Sequence, residues 1–136
     1  MTLGVPGALA AASFVAALVL HLTSYLGASP ASLRAAAFLL LPLPILLGWQ
    51  IISAGRLGIS GPGSWRPFMP APVEAFGWAL FGYVVLALTL GEISGAIHDL
   101  AWQLRAITGA LLWFYWAFTT FFAVVVPRAR VRPASR

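Results

Sequence analysis

Six side chains in this sequence stand out as candidates to bind, ligate or move protons: His21, Tyr25, Glu92, His98, Asp99 and Tyr115. The chain holds 2 histidines and 3 acidic residues, and Glu92, His98 and Asp99 share the short stretch GEISGAIHDL. Two imidazoles can take the axial positions of a haem iron. Imidazole together with carboxylates can hold a divalent metal. A histidine facing a glutamate can pass protons. The spacing favours none of these strongly. There is no His-x-x-x-His pair for a metal, and His98 falls in a connector and not on a facing helix. Ser24, His21 and Asp99 supply the residue types of a hydrolytic triad, but no nucleophile elbow or oxyanion-hole motif accompanies them. Cysteine is absent, so disulfides, thiolate chemistry and cysteine-based metal sites are excluded. No cofactor is therefore expected. The alternative is a haem or quinone touched by His21, His98 or Tyr115.

The elements that position these residues follow from composition. Of the 136 residues, 61% are hydrophobic and 8% charged, whereas soluble domains run near 45–50% and ~25%. A fold of this size has too little interior to hide so much apolar surface from water, so its solvent is lipid. A spanning helix needs about 20 apolar residues, and four stretches qualify, at about residues 6–26, 33–53, 73–90 and 106–126. Backbone polar groups need partners inside hydrocarbon, and no alternating barrel pattern is present, so each stretch reads as helix. The expectation is a single all-α membrane domain over 1–136: four transmembrane helices in a bundle, ending in a basic tail, 127–136. LGASPAS has the small residues of a signal-peptidase site. The first stretch lacks a basic n-region and is longer than an h-region, so a retained helix is expected.

Charge orients the bundle. All 8 basic residues are arginine, and with abundant alanine this points to a GC-rich bacterial genome. Four spans put both termini on one side, together with Arg56, Arg66, Arg128, Arg130, Arg132 and Arg136, and leave Arg34 and Arg105 on the other. The positive-inside rule then predicts cytoplasmic termini in a bacterial inner membrane. The tail PRARVRPASR reads as an anchor on anionic headgroups. It is short and has no aromatic residue to stack a base, so nucleic acid is not an expected partner. In this frame His21, Tyr25, Glu92, His98 and Asp99 share the outer end as a possible polar cluster, with Arg34 and Arg105 nearby.

Finer features predict packing. Ala8, Ala12 and Ala16 form a small-residue row suited to close helix approach. Pro42 and Pro44, in LLLPLPILLGWQ, predict a kink in the second helix. The Gly- and Pro-rich second loop reads as a turn region, and its GPG lacks the lysine of a phosphate loop. Trp49 and Trp65 suit an aromatic belt at one interface, and Tyr25 and Trp102 at the other. In WFYWAFTTFF, Tyr115 lies deep in the fourth span and needs a hydrogen-bond partner, while Thr119 and Thr120 can bond back to their own helix. Ile93, Ile97, Leu100, Leu104 and Ile107 repeat at helical spacing, which predicts a short interfacial helix that bends at Arg105 into the fourth span.

Three fragments carry a resemblance: VLHLTSYLG, SWRPFMP followed by FGYVVLAL, and LRAITGALLWFYWAFTTFF. They look like a group of small, uncharacterised bacterial four-span membrane proteins. That group shows a His-Leu pair near the end of its first span and a Trp-containing loop followed by a Tyr in its third. Its last span opens on Ser-Gly-His-Trp and then Phe-Tyr. Here Thr108, Gly109 and Ala110 precede Phe114-Tyr115. The histidine of that pattern is absent, and no metal or haem role carries over through it. The resemblance implies topology and no activity.

The expected function is that of a non-enzymatic accessory, structural or lipid-facing membrane subunit, self-associating or joined to other membrane subunits. The alternatives are a small redox or ligand-binding protein using His21 at an outer-side pocket, and a small oligomeric transporter built around the kinked second helix.

Overall fold

The computed structural model describes residues 4–27, 29–40, 42–53, 65–95 and 98–130. The chain is an all-α, four-helix membrane protein. The first span is Gly4–Leu26, the second comprises Pro30–Leu40 and Pro42–Ser53, and the third is Ala71–Ile93. The fourth begins as Leu100–Thr120 and continues through one π-helical turn, Phe121–Val125, into Val126–Arg130. Each span is long and apolar enough to cross a membrane. Among the described residues there is no strand.

The prolines explain the break in the second span. Pro42 and Pro44 both fall in the first turn of Pro42–Ser53, where backbone N–H groups have no intrahelical acceptor to lose. The cost moves to the preceding segment, whose last carbonyls lose their partners. Tyr115, fully buried on the fourth span, donates its hydroxyl hydrogen to one of them, the Leu39 carbonyl, at 2.7 Å. Pro127 has a comparable effect. It lacks an N–H, and its ring crowds the carbonyl four residues back. The π turn just before it shifts the register, so that the Val126 N–H pairs with the Phe121 carbonyl, and the helix continues.

The first and fourth spans form the centre, packed antiparallel. Ser24 lies opposite Arg105, His21 opposite Thr108, and Ser13 opposite Tyr115. The buried face of the first span is Gly7, Ala10, Ser13, Ala17, His21 and Ser24. The row expected from the sequence, Ala8, Ala12 and Ala16, is rotated away from this contact: Ala8 and Ala12 are exposed. Ala10 and Ala17 pack instead, with Leu111, Leu112, Tyr115 and Phe118 of the fourth span and Leu47 of the second. The third span buries only two residues, Gly77 and Gly91. A β-carbon on Gly77 would meet the Trp116 ring at 2.1 Å, so the ring lies directly on the backbone there.

Two local expectations are corrected. No separate interfacial helix precedes the fourth span, because Leu100–Thr120 runs unbroken through Arg105. Asp99 starts it as N-cap, accepting from the Ala101 N–H at 3.2 Å, and the amphipathic pattern belongs to the first turns of the span itself. Trp65 is no belt residue. It is 8% exposed, lies with its ring centroid 4.9 Å from that of Phe121, and joins Phe68 and Val125 in a second apolar cluster. Arg128 ties this segment down by donating to the Phe68 carbonyl at 2.8 Å. Residues 54–64 of the second loop and 131–136 of the basic tail lie outside the described residues, while 127–130 are helical.

Candidate functional site

His21 is buried near the end of the first span and is held by two other spans. Its Nδ1 lies 2.9 Å from Thr108 Oγ1, and its Nε2 lies 2.6 Å from the Tyr83 hydroxyl. Tyr83 in turn lies 2.6 Å from the Tyr25 hydroxyl. One turn apart on the first span, His21 and Tyr25 present their rings to the same side, and each imidazole-to-phenol contact is edge-on.

The direction of every hydrogen bond in this chain can be worked out. Thr108 Oγ1 donates its one proton to the Leu104 carbonyl at 2.6 Å, so toward His21 it accepts. His21 Nδ1 therefore carries the hydrogen, and Nε2 accepts from the Tyr83 hydroxyl. Tyr83 has then spent its proton and accepts from Tyr25. The sequence of donors runs Tyr25 to Tyr83 to His21 to Thr108 to the Leu104 carbonyl. It starts at an exposed phenol and ends on a backbone amide, which offers no group to take a proton further. Both imidazole nitrogens are engaged.

Arg105 closes the site from above. Its guanidinium carbon sits 4.3 Å from the centroid of the Tyr25 ring, within cation–π range. One Nη–H donates to the Ser24 carbonyl at 3.2 Å. That carbonyl belongs to the last turn of the first span, where acceptors are unpaired and a cation is favoured. Ser24 itself donates to the His21 carbonyl. Arg105 Nε is buried without an acceptor among the described residues.

No protein-family model, curated protein or solved structure matches the chain.

The candidates named from the sequence part company here. His21 and Tyr25 are joined through Tyr83. Glu92, His98 and Asp99 are exposed, and the hydrogen bonds of His21 go to Thr108 and Tyr83 instead. His21 is buried with both ring nitrogens engaged, whereas His98 is exposed. Among the described residues no three His, Asp or Glu side chains gather where they could hold a metal ion. Tyr115 spends its hydroxyl on Leu39 and lies far along the fourth span from this cluster. Thr119 does not bond back to its helix: its hydroxyl is buried without a partner among the described residues. The partners that residue counting missed are Tyr83 and Thr108. Tyr83 left a signal, being the one phenol of the third span. Thr108 left little, because threonine is common on spanning helices.

Proposed function

We propose that this chain is a non-catalytic subunit of a bacterial inner membrane, with both termini cytoplasmic, that serves as an accessory packing element among other membrane chains. The observation that carries this reading is the closure of the His21 cluster. A histidine prepared for ligation or proton transfer keeps one ring nitrogen or one open path available. This one gives both nitrogens to side chains of its own bundle, and the donor chain ends on an amide carbonyl. Its role is to fasten the third span to the first and fourth.

The uneven burial of the spans adds support. The third and second spans have 6% and 12% of their most apolar stretch buried, against 44% for the fourth. Two of the four helices thus bury few residues completely and leave wide faces open to lipid or to neighbouring chains. The orientation rests on six arginines at the termini side against two at the other.

Mild solubilisation of the native membrane followed by affinity capture and native mass spectrometry tests the reading. A stable complex with other membrane proteins, or a defined homo-oligomer, is expected; a chain recovered only as a lipid-bound monomer refutes it. For orientation, a reporter active only in the periplasm and fused after Arg136 is expected to be silent, and activity there reverses the topology.

A further inference from the structure

Beside Arg105 the third and fourth spans part and leave a cavity of about 400 Å³, within the size range of small-ligand sites. Arg105, Tyr25 and Trp102 supply its polar wall, and Leu90, Ile93 and Ala106 line the apolar remainder. Trp102 lies across Gly91, where a β-carbon would fall 1.4 Å from its indole nitrogen, so a residue with no side chain shapes the floor. We propose that this cavity binds the phosphate of an anionic phospholipid, with Arg105 as its cation and the Leu90–Ile93 side as the seat of the first acyl methylenes.

Three observations carry the assignment. The first is an incomplete set of acceptors. A guanidinium has five N–H donors, and among the described residues Arg105 has one acceptor, the neutral Ser24 carbonyl, while its Nε is buried without any. A phosphate is the acceptor whose geometry fits a guanidinium fork. The second is charge. No carboxylate lines the cavity, the acidic side chain of Asp99 is turned to its own helix N-terminus, and Glu92 is outside the lining. A cation in a spanning helix calls for an anion. The third is depth. The fourth span has 29 residues, Leu100–Arg128, a length of about 43 Å. Hydrocarbon is ~30 Å thick, so about 6 Å of helix overhangs at each end. Arg105 lies about 7 Å along the axis from Leu100, at the boundary where lipid phosphates and the first methylenes meet. Tyr25 and Trp102 stand at the same level, as aromatic side chains do at that boundary. The polar wall and the apolar wall of one cavity thus match the two parts of one lipid. The assignment rests on the chain crossing a bilayer and is independent of the accessory role proposed above.

Native mass spectrometry of the detergent-purified full chain, titrated separately with phosphatidylglycerol, phosphatidylcholine and inorganic phosphate, tests it. The wild type is expected to retain phosphatidylglycerol about tenfold more tightly than phosphatidylcholine, and Arg105→Gln to lose most of that preference. Ala106→Phe keeps the charge and fills the cavity, and the same loss is expected. It also provides a second test should Arg105→Gln fail to fold. Equal retention of the two lipids by the wild type overturns the proposal, as does an unchanged preference in folded variants. Displacement of the lipid by inorganic phosphate at equal concentration also overturns it, since the site would then take the free anion.

Discussion

At the scale of single residues, the donor chain from Tyr25 to Leu104 makes ordered predictions. Hydrogen bonds between membrane helices contribute about 0.6 kcal/mol on average and up to ~1.7. Tyr83 serves two of them, to His21 and to Tyr25. Tyr83→Phe is therefore expected to cost about 1–2 kcal/mol in SDS unfolding from mixed micelles, and Tyr25→Phe about half of that. Combined, the two are expected to cost less than the sum, because the second substitution removes a bond the first has already broken. Additive losses would mean that the phenols do not share one network. Thr108→Val keeps the shape and removes the acceptor. It leaves a buried Nδ1–H unpaired and is expected to cost about 1–3 kcal/mol. The sequence announced His21 and Tyr25 by their one-turn spacing and their rarity. It could not pair His21 with Tyr83 and Thr108, because hydrogen-bond partners 62 and 87 residues away depend on the rotation of each helix about its axis. Hydropathy is blind to that rotation when every face is apolar. The same blindness explains why Ala8, Ala12 and Ala16 seemed as good a packing row as the face that is buried.

At the scale of elements, the spans themselves were readable because length and apolarity alone define them, and the prolines marked the break in the second. Boundaries were harder. The fourth span starts at Leu100 because Asp99 caps it, a signal that the amphipathic spacing around it masked. The third span illustrates how little contact can hold a helix in lipid. Its closest approach to the fourth is through two glycines under two tryptophans, Gly77 with Trp116 and Gly91 with Trp102, with Phe81 against Trp113 between them. Without a hydrophobic force between helices, such close backbone approach supplies the attraction. A methyl group at either site must displace an indole, so Gly77→Ala and Gly91→Ala are each expected to cost about 1–3 kcal/mol. Gly82, on the same helix, has nothing within 4 Å of where a β-carbon would fall. Gly82→Ala is expected to be neutral or to stabilise by up to about 1 kcal/mol. The contrast is the test: three equal responses in SDS unfolding would show that propensity, and not the tryptophan seats, governs this helix.

At the scale of the whole molecule, the two sparsely packed spans must be covered by something. Trp78 is 64% exposed and Leu86 59%, both on the third span. In a lone chain these positions face acyl chains. In an accessory subunit some of them face another protein. The absence of cysteine makes the distinction measurable, since a single introduced thiol carries the only label. A nitroxide attached at Trp78→Cys or Leu86→Cys is expected to be mobile and fully relaxed by dissolved oxygen in nanodiscs holding the purified chain alone. In native membranes at least one of the two is expected to become immobilised and shielded, because a packed protein neighbour excludes oxygen and restricts the label where lipid does neither. A label at Ala17→Cys, buried between the first and fourth spans, sets the shielded limit. Identical mobility and oxygen access at both exposed sites in the two preparations would mean that only lipid covers the third span, and the accessory reading would lose its surface.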